Sequence, residues 1–387
     1  MLFSGVLYAW SILKTPLKTA FGWTDVDLTL NFTLTMCFFC LGAFLGSILI
    51  KRIGAKLSVI LSGISVGAGF ILTGMLDGNS LYMLFITYAL LAGVGIGVSY
   101  NVVISTVSAW FPDKKGLCSG CLMMGFGAST LILGNLIAAL FENENIGWRN
   151  TYVIVGIVIM LVLVISGILL RKPDENMVFP APKEKKSAKK EDFEAKDFTT
   201  AEMVKRFTYW RAFLCLVFLT AVGNTVISFA RDLVLSVGAT ADLATSLVGV
   251  LAIFNGIGRI LTGALFDSVG RKTTMFTANI ITIFAAGITL CAVAVSSLPL
   301  CIIGLCLTGL SYGACPTVVS VFTSAFYGTK HFATNFSITN SNLVGAALIA
   351  TVNGNLLAST ESFTAPFIVL LCLAFAALFL NFSIKRP

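Results

Sequence analysis

The feature that most constrains this chain is a succession of apolar runs, each long enough to cross a lipid bilayer and separated by short charged or turn-rich breaks. The runs fall near residues 1-20, 27-50, 57-76, 81-110, 116-141 and 150-170, then 209-236, 243-266, 273-296, 298-326, 334-358 and 363-384. A spanning helix takes about 20 apolar residues, so the pattern predicts twelve helices and an all-α membrane protein. With 57% hydrophobic and only 11% charged residues, too little polar surface exists to cover a water-soluble globule. In the first run, Met1 opens directly onto apolar residues and Lys14 follows soon after. The start is therefore expected to be truncated or mis-started, and because it lacks the basic start and cleavage site of a signal peptide the run is read as the outer half of a genuine span.

Of the 26 Lys and Arg, all but Lys14, Lys18, Arg149, Arg231 and Arg259 fall on the side that carries residues 171-208. Basic residues accumulate on the cytoplasmic side. This predicts an inner (plasma) membrane protein with both termini of the full-length chain in the cytoplasm. The net charge of +8 then belongs to loops facing anionic lipid. No folded basic domain for nucleic acid is present, so the bilayer is an expected partner and nucleic acid is not.

Residues 171-208 break the apolar pattern with Arg171, Lys172, Pro173, a Lys-rich run from Lys183 to Lys190, and the acids Glu191, Asp192, Glu194 and Asp197. This is the composition of a solvated linker. At its end, Thr199-x-x-Glu202 has capping-box spacing and predicts a short helix leading through Met203 and Phe207 to Trp210. Across the linker, one constant spacing relates Ser108-Ala109-Trp110 to Ser324-Ala325-Phe326, Lys114 to Lys330, Gly93 and Gly97 to Gly309 and Gly313, and Gly54 to Gly270. A constant offset marks a duplication. The expected division is a six-helix bundle over 1-170, a cytoplasmic linker over 171-208 and a second six-helix bundle over 209-387.

Small residues four apart, such as Gly42 with Gly46, Gly63 with Gly67 and Gly93 with Gly97, predict close helix contacts. Gly93-x-Gly95-x-Gly97 has no preceding strand or Walker lysine and is not a nucleotide loop. The Cys37-x-x-Cys40 and Cys118-x-x-Cys121 pairs lie in apolar helices, where cysteine acts as a small hydrophobe. Neither a metal nor a cofactor is expected, and no intramembrane acid pair or activated nucleophile suggests an enzyme.

One charge stands apart. Arg259 precedes Asp267 by eight residues, about 12 Å along a helix rising ~1.5 Å per residue and close to the ~15 Å midplane depth. A charge there costs at least roughly 2.5-3.5 kcal/mol on insertion scales, so it must face an aqueous cavity or a partner. Two readings stay open: an anchor for an anionic ligand, or a structural arginine satisfied by helix carbonyls and by Asn255 one turn earlier.

The stretch Gly263-Ala-Leu-Phe-Asp267-Ser-Val-Gly270-Arg271-Lys272 resembles the signature of the major facilitator superfamily. Gly5-Val-Leu-Tyr8-Ala-Trp10-Ser11, Trp110-Phe111-Pro112-Asp113-Lys114-Lys115-Gly116, Lys196-Asp197-Phe198 and Glu202-Met203 resemble its oxalate/formate antiporter family, with relatives among monocarboxylate transporters. The resemblance implies two parallel halves around a central site, transport by alternating access, and function as a monomer. It implies a gating motif of Gly263, Asp267, Gly270 and Arg271, with Arg52 in the first half, where Lys51 stands in place of the expected acid. It also implies that Arg259 engages a substrate carboxylate, a geometry that suits a guanidinium. Tyr8, Tyr100 and Tyr312 would line the cavity, with Asn255 and Asn342 as polar neighbours.

The sequence departs from the oxalate carriers at Leu7, Phe126 and Thr308, and Leu343 replaces a second cation. The resemblance therefore favours a small monocarboxylate over oxalate. None of the 18 acids falls mid-span, and His331, the one histidine, is expected in a loop. Without a titratable group near Arg259, exchange or facilitated movement is expected over side-chain-mediated proton symport. The alternative is a transporter-like sensor or scaffold that binds a carboxylate without moving it.

Overall fold

A computed structural model of the chain describes residues 1-174, 177 and 197-384. The Lys183 to Lys190 run, Glu191, Asp192, Glu194 and Lys196 lie outside the described residues, as do Lys385 and Arg386. All regular structure among the described residues is helical. A 3-10 segment, Phe3–Ala9, runs directly into α1 (Trp10–Phe21). Then follow α2 (Asp25–Arg52), α3 (Gly54–Gly74), α4 (Leu81–Ser108), α5 (Lys115–Glu142) and α6 (Gly147–Leu169). After the linker come α7 (Phe207–Ser236), α8 (Ala241–Val269), α9 (Arg271–Ala294), α10 (Leu298–Tyr327), α11 (Phe332–Thr360) and α12 (Thr364–Ser383). Among the described residues, the 11 helices α2 to α12 are long and apolar enough to cross a membrane.

Local chemistry sets the boundaries. Thr24 opens α2 through a capping box with Asp27, satisfying amides that have no partner within the helix. Gly54 and Gly270 turn the chain from α2 into α3 and from α8 into α9, at positive φ of 80° and 78°. Glycine adopts that conformation without the penalty a Cβ would bring, so α3 starts at Gly54 rather than at 57. Two spans carry π-helical stretches, Phe85–Ala92 in α4 and Thr130–Gly134 in α5. Helix α11 is interrupted at Ser341.

The chain forms two compact units, Met1–Phe111 with Gly125–Phe179, and Pro112–Met124 with Pro180–Pro387. The grouping changes within α5, so the start of that helix belongs with the second unit. In the first unit, α2 packs on α4 and α3 on α6. A Cβ on Gly97 would overlap the Phe39 carbonyl, and Gly63 and Gly67 sit against Leu163 and Met160. In the second unit, α10 packs on α8 and α9, and α7 packs on α11 and α12. Val222, Val226, Leu251, Leu305, Phe367 and Leu370 fill part of its core.

The duplication is visible in the contacts inside each unit. Gly93 and Gly97 face the Thr35 and Phe39 carbonyls, and Gly309 and Gly313 face those of Leu251 and Asn255. These pairs differ by the same spacing that relates the two sequence halves. Beside Gly97 lies the Ala43 amide nitrogen, and beside Gly313 that of Arg259.

The end of the linker is ordered on the second unit. Thr199 and Glu202 form the expected capping box at a short helix, Thr200–Val204, which stops before α7 begins at Phe207. Asp197 Oδ1 accepts the Thr329 and Lys330 amides at 2.9 and 3.0 Å. The Phe198 amide donates to the Tyr327 carbonyl at 3.0 Å, and Asn335 Nδ2 donates to the Phe198 carbonyl at 2.9 Å.

Candidate functional site

Arg259 sits in the interior of α8 and is 3% exposed. Its Nε donates to Asn255 Oδ1, one turn earlier on the same helix, at 3.2 Å. Its Nη1 donates to the backbone carbonyl of Met123 on α5. Thr317 on α10 donates its hydroxyl to the Arg259 carbonyl at 3.2 Å, adding an acceptor contact outside the helix ladder. Both guanidinium partners are neutral. Among the described residues, the hydrogen-bond partners of this guanidinium carry no negative charge, and a buried guanidinium without a counter-charge is costly in a spanning helix.

Close backbone approaches hold this arrangement. Gly120 on α5 lies against the Arg259 carbonyl, and Gly313 on α10 against the Asn255 carbonyl. Ser119 and Ser320 join hydroxyls across α5 and α10 at 3.0 Å. Tyr312, 6% exposed, precedes Gly313 and presses its ring on Gly223 of α7. One turn before Gly223, Thr220 accepts a 2.9 Å hydrogen bond from Asn342 Nδ2, while Asn342 Oδ1 is buried without a partner. Arg259, Asn255, Tyr312 and Asn342 therefore belong to one connected set of contacts through α7, α8, α10 and α11.

Tyr8 and Tyr100 form an aromatic group in the first unit. Their rings make edge contacts with Phe126 at 5.5 and 5.0 Å, and Tyr100 meets Phe39 at 5.1 Å. Gly5 lets the 3-10 segment come against the Phe126 carbonyl, where a Cβ would overlap it. Leu7 is buried, and the Thr308 hydroxyl is occupied by the Gly304 carbonyl at 2.8 Å.

Of the residues expected in a gating motif, Gly263, Asp267, Gly270 and Arg271 lie at the end of α8 and the start of α9. Asp267 Oδ1 and Oδ2 accept the Gly116 and Leu117 amides at 2.9 and 2.8 Å. A carboxylate here caps the start of α5 and opposes the positive end of that helix dipole. Gly263 and Gly116 lie so close that a Cβ on either would overlap the other's backbone. The Arg271 guanidinium lies over the Phe326 ring at 4.7 Å. Arg52, at the end of α2, is exposed.

Sequence reasoning did not identify Met123, Thr317 or Thr220. A backbone carbonyl on another helix leaves no residue signature, and a threonine in an apolar run is common. The only sequence hint is Pro316, a proline inside α10 immediately before Thr317. Among the described residues, no three His, Cys, Asp or Glu side chains come together as metal ligands, and the cysteines of both C-x-x-C pairs are not joined in disulfides.

The oxalate:formate antiporter of Oxalobacter formigenes is 30% identical over 278 residues, covering 70% of this chain and 62% of the antiporter. The match thus spans less than two thirds of that relative's length. Human monocarboxylate transporter 12 is 27% identical over 377 residues, covering 90% of this chain and 72% of that protein. The proton:xylose symporter XylE, solved with 6-bromo-6-deoxy-D-glucose, superposes with a TM-score of 0.70 at 12% identity, covering 100% of this chain and 94% of the symporter. The Major Facilitator Superfamily model matches residues 1-230 and 212-387. Together with the multi-spanning helical fold, that match places the chain in the Major Facilitator Superfamily.

Proposed function

We propose that this secondary transporter of a small organic solute carries a monocarboxylate, with Arg259 as the carboxylate anchor. The observation that carries the reading is the charge of Arg259, buried mid-span with, among the described residues, the neutral Asn255 amide and Met123 carbonyl as its hydrogen-bond partners. A carboxylate supplies the missing negative charge and matches the guanidinium fork. The printed names of two relatives, an oxalate:formate antiporter and a monocarboxylate transporter, support an acid as cargo. A single buried cation suits one carboxylate better than two, and the Tyr8, Tyr100 and Tyr312 phenols with the Asn342 amide supply neutral contacts.

In this reading the 1-170 and 209-387 bundles, joined by the 171-208 linker, alternate access as a monomer with both termini cytoplasmic. Exchange or facilitated movement is favoured over side-chain-mediated proton symport, because no acid or histidine among the described residues lies mid-span. The test is initial-rate uptake of radiolabelled formate, lactate, pyruvate and oxalate into proteoliposomes. Removing one buried charge-assisted contact costs roughly 1.5-3 kcal/mol, so Arg259→Gln is expected to slow monocarboxylate uptake at least ~10-fold. Uptake of every acid unchanged in a folded Arg259→Gln protein would overturn the proposal. A pH gradient alone is expected to drive little accumulation.

A further inference from the structure

Asn340 closes the first stretch of α11, Phe332–Asn340, and is 1% exposed. Neither its amide nitrogen nor its amide oxygen has a hydrogen-bond partner among the described residues. Other buried asparagines of the second unit find a partner locally: Asn279 and Asn353 each donate to a carbonyl one turn earlier on the same helix, at 2.7 and 3.1 Å. Asn340 makes no such bond and is left open at both ends. A buried amide in that state is costly, and exchanging its oxygen with its nitrogen leaves the cost as it is. A ligand that meets both groups removes it.

Asn340 sits at the level of Arg259. It lies eight residues after Phe332 at the start of α11, and Arg259 lies eight residues before Asp267 near the end of α8. The contact of Arg271 with Phe326 places the turn from α8 to α9 and the end of α10 on one side of the second unit. At ~1.5 Å per residue, both residues are then about 12 Å in from that side. The first stretch of α11 packs on α10, the helix of Tyr312 and Thr317. Just past the break at Ser341, Asn342 donates to Thr220. Thr220 is hydrogen-bonded to the Cys315 thiol, and Cys315 lies within electrostatic reach of Arg259. The open amide and the buried cation thus belong to one set of packed helices in one unit.

The two groups of the amide say what the ligand carries. A carboxylate has acceptors only, so it meets the Asn340 nitrogen and not the oxygen, and the Asn342 oxygen is unpartnered as well. A carbonyl beside the carboxylate adds a further acceptor and changes nothing. A hydroxyl beside it adds the missing donor and sets a donor next to an acceptor, as the amide does. We propose that Asn340 is a specificity-determining contact of the cargo and selects a 2-hydroxy monocarboxylate, whose hydroxyl donates to the amide oxygen while a carboxylate oxygen accepts from the amide nitrogen. The inference rests on Arg259 as the carboxylate anchor.

Initial-rate uptake into proteoliposomes tests it with two pairs of radiolabelled acids: glycolate against acetate, which differ by one hydroxyl, and lactate against pyruvate, which exchange a hydroxyl for a carbonyl. The wild-type protein is expected to prefer the hydroxy acid of each pair about tenfold in kcat/KM. Asn340→Leu and Asn340→Ala are expected to bring both ratios close to one, and Arg259→Gln to slow all four acids. Equal wild-type rates within both pairs, or a hydroxy-acid preference retained in both folded Asn340 variants, would overturn the proposal. The wild-type ratios decide it even where a variant does not fold. Acids slowed by Arg259→Gln but not told apart by their hydroxyl would leave the anchor standing and remove this inference alone. Four acids unaffected by Arg259→Gln would instead overturn the anchor, and this inference with it.

Discussion

Replacing Asp267 with alanine removes the acceptor of two amides at once. Gly116 and Leu117 donate to its two oxygens at 2.9 and 2.8 Å, and the amides at a helix start have no partner within the helix. The Gly116 and Gly263 backbones are in contact, so the neighbouring chain leaves little room for a substitute acceptor. A hydrogen bond to a charged group contributes about 1.5-3 kcal/mol, and the carboxylate at the helix dipole adds ~0.3-1 kcal/mol. Because the two bonds share one carboxylate and are part-buried, their joint loss is expected to cost about 2-4 kcal/mol rather than the full sum. Hydrogen exchange resolved at these two amides reads the effect directly, since protection reports the free energy of local opening. Asp267→Ala is expected to lower protection at Gly116 and Leu117 by ~30-fold or more, and Asp267→Asn by less, because one carbonyl oxygen remains. Unchanged exchange at both amides in Asp267→Ala, with the rest of the protein still protected, would refute the argument that this carboxylate holds the start of α5.

Four other outcomes are expected. Asp197→Ala releases the Thr329 and Lys330 amides, and their exchange should quicken while that of Gly116 and Leu117 stays as in the wild type. Gly97→Ala forces a Cβ onto the Phe39 carbonyl and should cost ~1-3 kcal/mol, measured as a lower thermal midpoint in detergent. By contrast Gly249→Ala, in open space within α8, should be neutral or stabilise by up to ~1 kcal/mol. In the loop after α3, the Asn79 amide and side chain hold the Asp77 carboxyl below its usual range. A depressed folded value means that the contribution is present above the unfolded carboxylate pKa and lost as pH falls through the folded one. Asn79→Ala, which removes only the side-chain donor, should raise the Asp77 titration midpoint in a carboxyl-carbon NMR titration without returning it fully to the usual range.

The spanning helices were legible because lipid imposes one rule, an unbroken apolar length, that composition alone displays. The capping box at Thr199 and Glu202 was legible for a similar reason, since its donors and acceptors lie within four consecutive residues. What the sequence concealed is non-local. The π-helical stretches of α4 and α5 change the helical register without any residue that demands it. Met123 holds Arg259 through a carbonyl that every residue possesses. The start of α5 belongs with the second unit through glycine approaches at Gly116 and Gly120, and glycine is common throughout this chain. Arg259 itself stood out for an energetic reason, as the one charge whose depth carries a cost.

The duplication turns that cost into an argument. Gly97 and Gly313 make the same backbone approach in their respective units, one to Phe39 and the other to Asn255. Beside the first lies Ala43, 1% exposed, and beside the second Arg259, 3% exposed. The same helix-on-helix geometry is thus built once with a methyl group and once with a guanidinium. Packing cannot be what requires the charge, because the first unit achieves the packing without it. A buried cation that costs several kcal/mol after relaxation and that the packing does not require supports the proposed ligand of opposite sign. Asn255 fits the same account, since it sits where the first unit has Phe39 and orients the guanidinium through its 3.2 Å contact. One half of the repeat therefore keeps an apolar and aromatic lining, while the other has exchanged two of the same positions for a cation and the amide that aims it.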